Sequence, residues 1–128
     1  MVFSLYKYSL CEVFTKKLLP SIKLYLAYRL IRDFNYSQLR VSNILGVKQP
    51  LINYFLSGRR KPRLIDFIQS NSEFRRILDN IAYDIASTGF EQNNCIACRI
   101  CIVLRKTGFI EDILRKIGID SREVYIPR

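Results

Sequence analysis

A chain of 128 residues, nearly half of them hydrophobic, can bury one core and has room for one domain or one small domain with an appendage. Four cysteines and no histidine exclude a disulfide scaffold and any histidine-ligated metal, and no apolar run is long enough to span a bilayer. Lys plus Arg number 21 against 11 Asp plus Glu, and the excess lies in residues 1–70, which points to a polyanion engaged by that half.

Residues 1–10 lack the charged start and long apolar run of a secretory signal, so the chain reads as cytoplasmic, with no membrane partner and with thiols kept reduced. The loosely alternating apolar and aromatic residues 2–9 predict a short strand or an extended segment, and residues 1–17 an N-terminal arm that carries Cys11. Pro20 suits the first turn of a helix, which Ile22, Leu26, Leu30 and Ile31 then continue at helical spacing. Asn35 and Tyr36 break it.

Ser37 is placed to cap the next helix, whose inward residues are Val41, Ile44 and Leu45 and whose end is Gly46. Three residues, Gly46 to Lys48, separate it from a second helix over about Gln49 to Leu56, with Pro50 tolerated in the first turn. Val47, Ile52 and Phe55 face the core, Ser42 is small where the two helices cross, and Ser57-Gly58 closes the unit. The Arg59-Arg60-Lys61-Pro62-Arg63 run reads as an exposed basic loop. Two short helices joined by a tight glycine-containing turn form the unit that lays its second helix in the DNA major groove.

Farther on, Ser70-x-x-Glu73 reads as a capping box before the stripe Phe74, Ile77, Leu78, Ile81 and Ile85. Residues 90–94 form a loop. Ile110, Ile113, Leu114 and Ile117 mark another short helix that Gly118 stops, and Val124-Tyr125-Ile126 is extended. The expected fold is all-α: a helix-turn-helix domain over 18–70 and a C-terminal helical extension over 71–128 for metal binding or dimerisation, with short strands possible at both termini.

Residues 37–60 resemble the phage-repressor-like (XRE-type) helix-turn-helix family. More closely, "SQ…ILGV.Q…Y.L.G.R" is similar to a group of archaeal predicted transcriptional regulators that also carry a Cys-Glu pair before the first helix, here Cys11-Glu12, and a cysteine cluster after the domain. Leu19-Pro20-Ser21-Ile22 is similar to that group's first-helix opening, so the resemblance covers roughly residues 11–105. Resemblance and spacing together assign Gln38 to a phosphate at a helix N-terminus, and Gln49, Asn53 and Tyr54 to base edges. They assign Pro50 to a thymine methyl, and Lys48, Arg59, Arg60 and Lys61 to phosphates. The implied partner is double-stranded DNA, bound by a homodimer; either apolar stripe can supply its contact face, and each equally suits packing inside the monomer, which is the default.

Cys95, Cys98 and Cys101, with the remote Cys11, make up the four-thiolate set of a [4Fe–4S] cluster; another Fe–S type, zinc or unliganded thiols are the alternatives. On an ideal helix the triplet would rise about 9 Å and fan through about 120°, which suits one tetrahedral ion poorly, so an irregular turn wrapped around a larger cluster is expected. The resemblance also pairs Cys11 with the triplet. Arg99 and Arg105 lie close enough in sequence to offset cluster charge, although ordinary solvated arginines fit as well. With no histidine, no phosphate-binding glycine loop and no well-placed carboxylate pair, neither an enzyme nor a small-molecule substrate is expected. The resulting expectation is a DNA-binding transcriptional regulator modulated by the cluster. A DNA-binding protein with a purely structural metal, or a small Fe–S electron carrier, are the other readings.

Overall fold

The computed structural model describes residues 6–59, 63–88 and 95–126. In chain order the elements are β1 (Tyr8–Ser9), α1 (Leu10–Val13), a π-helical turn (Phe14–Leu18), α2 (Leu19–Phe34), α3 (Gln38–Leu45), α4 (Gln49–Leu56), α5 (Arg63–Ser70), α6 (Ser72–Thr88), α7 (Ile96–Thr107), α8 (Phe109–Lys116), a 3₁₀ turn (Ser121–Glu123) and β2 (Val124–Tyr125). The molecule is a small all-α domain. The two strands pair in parallel, Tyr8 opposite Val124 and Ser9 opposite Tyr125. An edge-to-face contact between Tyr6 and Tyr125 and a 3.3 Å ion pair between Lys7 and Glu123 reinforce this link between the two ends of the chain.

Residues 10–17, expected in an arm, are helical instead. Ser9 Oγ caps α1 by accepting from the Glu12 N–H at 3.2 Å, and Leu10, Val13, Phe14 and Leu18 are buried at helical spacing. Pro20 lies in the first turn of α2, as expected, although that helix continues from the π turn without a break. A proline there cannot donate to the carbonyl four residues back and its ring collides with it. The π turn absorbs the misfit: the Leu19 N–H reaches back five residues to the Phe14 carbonyl.

Helix α2 is the hub. Ile22, Leu26 and Leu30 are fully buried, Leu24, Tyr25 and Ala27 nearly so, and α3, α4, α5 and α6 all pack against it. Asn35, in the left-handed region, ends it. Across the α2–α6 contact the Tyr25 hydroxyl donates to Asp79 Oδ1 at 2.6 Å, and Arg29 pairs with the same oxygen at 3.0 Å. Arg63, expected in the basic loop, begins α5, whose buried face is Leu64, Ile65 and Ile68.

The capping box is displaced. Ser70 belongs to α5, where its hydroxyl donates to the Phe67 carbonyl, and Asn71 Oδ1 instead accepts from the Phe74 N–H at 3.0 Å to start α6. Both stripes pack inside the chain, the default expected of them. Phe74, Leu78, Ile81 and Ile85, and likewise Ile110, Ile113 and Leu114, are buried within the chain. They belong to one hydrophobic cluster that also takes in Leu10, Ile52, Leu104 and Val124, so the three expected segments share a core. No described helix is long and apolar enough to cross a membrane.

Candidate nucleic-acid interface and cysteine centre

The two-helix unit is built as its caps dictate. Ser37 Oγ accepts from the Arg40 N–H at 3.1 Å, and Gly46, at φ 69°, takes the left-handed conformation that turns α3 toward α4. Val41, Leu45, Val47 and Ile52 fix the pair to the core, and Phe55 packs edge-to-face on Tyr28 with ring centroids 6.3 Å apart. With Ile52 fully buried, the opposite side of α4 presents Gln49, Pro50, Asn53 and Tyr54 to solvent. Lys48 and Gln49 are exposed at its start. After Gly58, Arg59 is exposed and its N–H donates to the Tyr54 carbonyl at 2.9 Å. Gln38 is half-buried at the first position of α3. Arg60 and Lys61 lie outside the described residues, as does the expected loop over 90–94.

Two cations join this surface that sequence reasoning did not single out. Arg40 stacks over the Tyr36 ring at 4.2 Å from its centroid, which holds a guanidinium rigidly on the exposed side of α3. Lys23, on α2, brings its Nζ to 3.8 Å from the point where a Cβ on Gly46 would stand. A tertiary contact of this kind has no signature in local spacing.

The cysteine triplet opens a regular helix and does not wrap an irregular turn. Cys95 is the N-cap of α7, and its sulfur accepts from the Cys98 N–H at 3.4 Å. Cys98 and Cys101 follow on the helix itself. All four cysteines are free thiols; Cys11, Cys95 and Cys98 are exposed and Cys101 is buried. Hydrogen bonding from Cys98, backbone and side chain, pulls the Cys95 thiol below its ordinary range, with a smaller electrostatic pull from Lys23. The same side-chain bond, together with neighbouring thiols that include Cys11, pushes Cys98 up. Burial pushes Cys101 up, Arg105 partly offsets this, and Cys11 adds to it. Cys11 thus acts electrostatically on two members of the triplet.

Among the described residues, no three His, Cys, Asp or Glu side chains stand ready to hold a metal ion as they are placed. The donors themselves are of the thiolate type: Cys95, Cys98 and Cys101 lie at the start of α7, and Cys11 lies in α1. The buried Arg105 Nε also has no hydrogen-bond partner among the described residues, and it belongs to a guanidinium that faces Cys101. Arg99 is committed elsewhere, in an ion pair with Asp84 on α6.

No protein-family model, curated protein or solved structure matches the chain.

Proposed function

We propose that this protein is a DNA-binding transcriptional regulator whose affinity for duplex is set by a [4Fe–4S] cluster held by Cys11, Cys95, Cys98 and Cys101. What supports the DNA reading is the division of α4: Ile52 is buried on one side, while Gln49, Pro50, Asn53 and Tyr54 stand exposed on the other between the cations Lys48 and Arg59. The amides of Gln49 and Asn53 offer paired donors and acceptors to adenine, and Pro50 an apolar contact to a thymine methyl. Lys48, Arg59, Arg60 and Lys61 neutralise phosphates, and Gln38 meets one at the start of α3.

What supports the sulfur reading is the donor set: Cys95, Cys98 and Cys101 at the start of α7 and Cys11 in α1 supply four free thiols. A cluster there supplies a crosslink sensitive to oxidant and to iron supply. In this reading, Cys11 ties α1 to α7, and the helical run beginning at α1 leads into α2, against which α3 and α4 pack. Loss of the tie at Cys11 therefore reaches the helix pair through one continuous segment. The test is fluorescence anisotropy with a random-sequence duplex across a salt series, on protein prepared without air and on the same protein stripped of metal. The reading requires salt-dependent binding that differs between the two preparations. Binding that is identical in both leaves the sulfur centre a structural element, and no binding in either removes the regulator reading.

A further inference from the structure

The elbow between α7 and α8 holds a cavity of about 390 Å³. Gly108 turns the chain there at φ 79°, and nothing stands within 4 Å of where its Cβ would be. Ile102, Ile110 and Ile126 give the cavity its apolar surface, and Arg105 and Lys106 bring two cations to it. Neither cation makes an ion pair with a carboxylate among the described residues. Glu111 also lines the cavity, but it already takes part in another interaction. No cysteine lines it. Positive charge in the last turn of α7 complements the terminal carbonyls of that helix, which accounts for the two cations being there. It does not account for Arg105 Nε, which is shielded from solvent and makes no hydrogen bond among the described residues. A donor kept out of water without an acceptor is destabilising, so its retention calls for a partner.

We infer that this elbow is a binding site for a small aliphatic carboxylate, its headgroup on the Arg105 guanidinium and its hydrocarbon body against the three isoleucines. The guanidinium fork matches the two carboxylate oxygens with parallel N–H···O bonds, Nε–H among them once the side chain turns toward the cavity. The ligand thus brings the acceptor that the chain does not supply, and Lys106 adds attraction. Apolar walls with a few charged groups that fix orientation, in a volume of this size, are the make-up of a small-molecule site. A compact anion such as phosphate uses the cations but leaves the isoleucines uncovered. An aliphatic amine covers the isoleucines but leaves the donor unmet. The site requires neither the sulfur centre nor DNA, so it is independent of the function proposed above.

The test is calorimetric titration of octanoate, octylamine and inorganic phosphate into the full chain purified without air. Octanoate should saturate one site per chain with a Kd of about 1 mM or below, and the other two should bind about tenfold more weakly or not at all. Arg105→Met keeps an apolar stem, removes the fork and should weaken octanoate about tenfold. Ile102 is exposed, so Ile102→Asp leaves the core intact while setting a negative charge beside the headgroup. It should weaken octanoate likewise, and it carries the test if Arg105→Met does not fold. Lys16→Met removes one charge from a different cavity, lined also by Tyr8, Glu12 and Ile119, and should leave octanoate affinity unchanged. Absence of saturable octanoate binding overturns the inference. So does wild-type affinity in Arg105→Met and Ile102→Asp, an equal loss in Lys16→Met, or octylamine or phosphate binding as tightly as octanoate.

Discussion

The sulfur of Cys95 accepts a hydrogen bond from the Cys98 N–H at 3.4 Å, so the first cysteine of the triplet caps the helix that carries the other two. The contact lowers the Cys95 thiol, and a side-chain bond between the same two cysteines raises Cys98. Cys95 is held below the ordinary thiol range and Cys98 above it, while burial raises Cys101.

In metal-free, reduced protein, iodoacetamide should therefore modify Cys95 before Cys98, with Cys101 last because its side chain is both buried and raised. The Cys95 rate should also level off at a lower pH than the Cys98 rate. Peptide mapping by mass spectrometry over a time course reads the order. Cys101 labelling as fast as Cys95 contradicts it.

Asn53 and Arg59 should fail in different ways. Asn53→Ala removes an amide assigned to a base edge, so it should cost about 1–3 kcal/mol on a preferred site and relax preference at one position. Arg59→Ala should weaken all duplexes alike and reduce the salt slope by about one unit. Anisotropy titrations over a salt series, on a selected site and on random duplex, separate the two. An unchanged slope removes Arg59 from the phosphate contacts.

Tyr25 should make stability sensitive to alkali. Burial, followed by its hydrogen bond to Asp79, raises the hydroxyl well above the usual tyrosine range. A group raised on folding contributes stability that is complete below its unfolded value, about 10, and is lost as pH climbs beyond it toward the folded value. Denaturant unfolding should thus show a declining limb above about pH 10, and Tyr25→Phe should flatten that limb while costing about 1–3 kcal/mol at pH 7. A Tyr25→Phe protein with the wild-type limb contradicts the assignment.

The start of α6 gives a stability test that distinguishes two neighbours. Asn71→Ala removes the oxygen that accepts from the Phe74 N–H and should cost about 1 kcal/mol. Ser70→Ala removes a hydroxyl bonded within α5 and should change stability by less than about 0.5 kcal/mol. Chemical denaturation of both variants settles which residue caps the helix.

The helix-turn-helix is legible from its residues because its boundaries are local chemistry. Ser37 caps, Gly46 turns at positive φ, and the helices span Gln38–Leu45 and Gln49–Leu56 as the spacing implies. The same local logic holds at Pro20, which lies in the first turn of α2, but it does not show the π turn that precedes it. It fails at Ser70, where the Ser-x-x-Glu pattern is complete but α5 has already claimed the serine. Helix α5 itself is hidden behind the basic run that precedes it, although Leu64, Ile65 and Ile68 carry its signal. The spacing of the triplet implies an irregular wrap, whereas Cys95 needs only to step off the helix as its cap. Lys23 is invisible to any such reading, because its contact with Gly46 exists only once α2 packs on α3.

Iron analysis with visible absorption of wild type and Cys11→Ser, both purified without air, tests whether Cys11 serves the same centre as the triplet. Wild type should be brown with about four irons per chain, and Cys11→Ser should lose most of both iron and absorbance. Colourless wild-type protein, or a Cys11→Ser protein that keeps its full iron and colour, rules out a centre shared by the four cysteines.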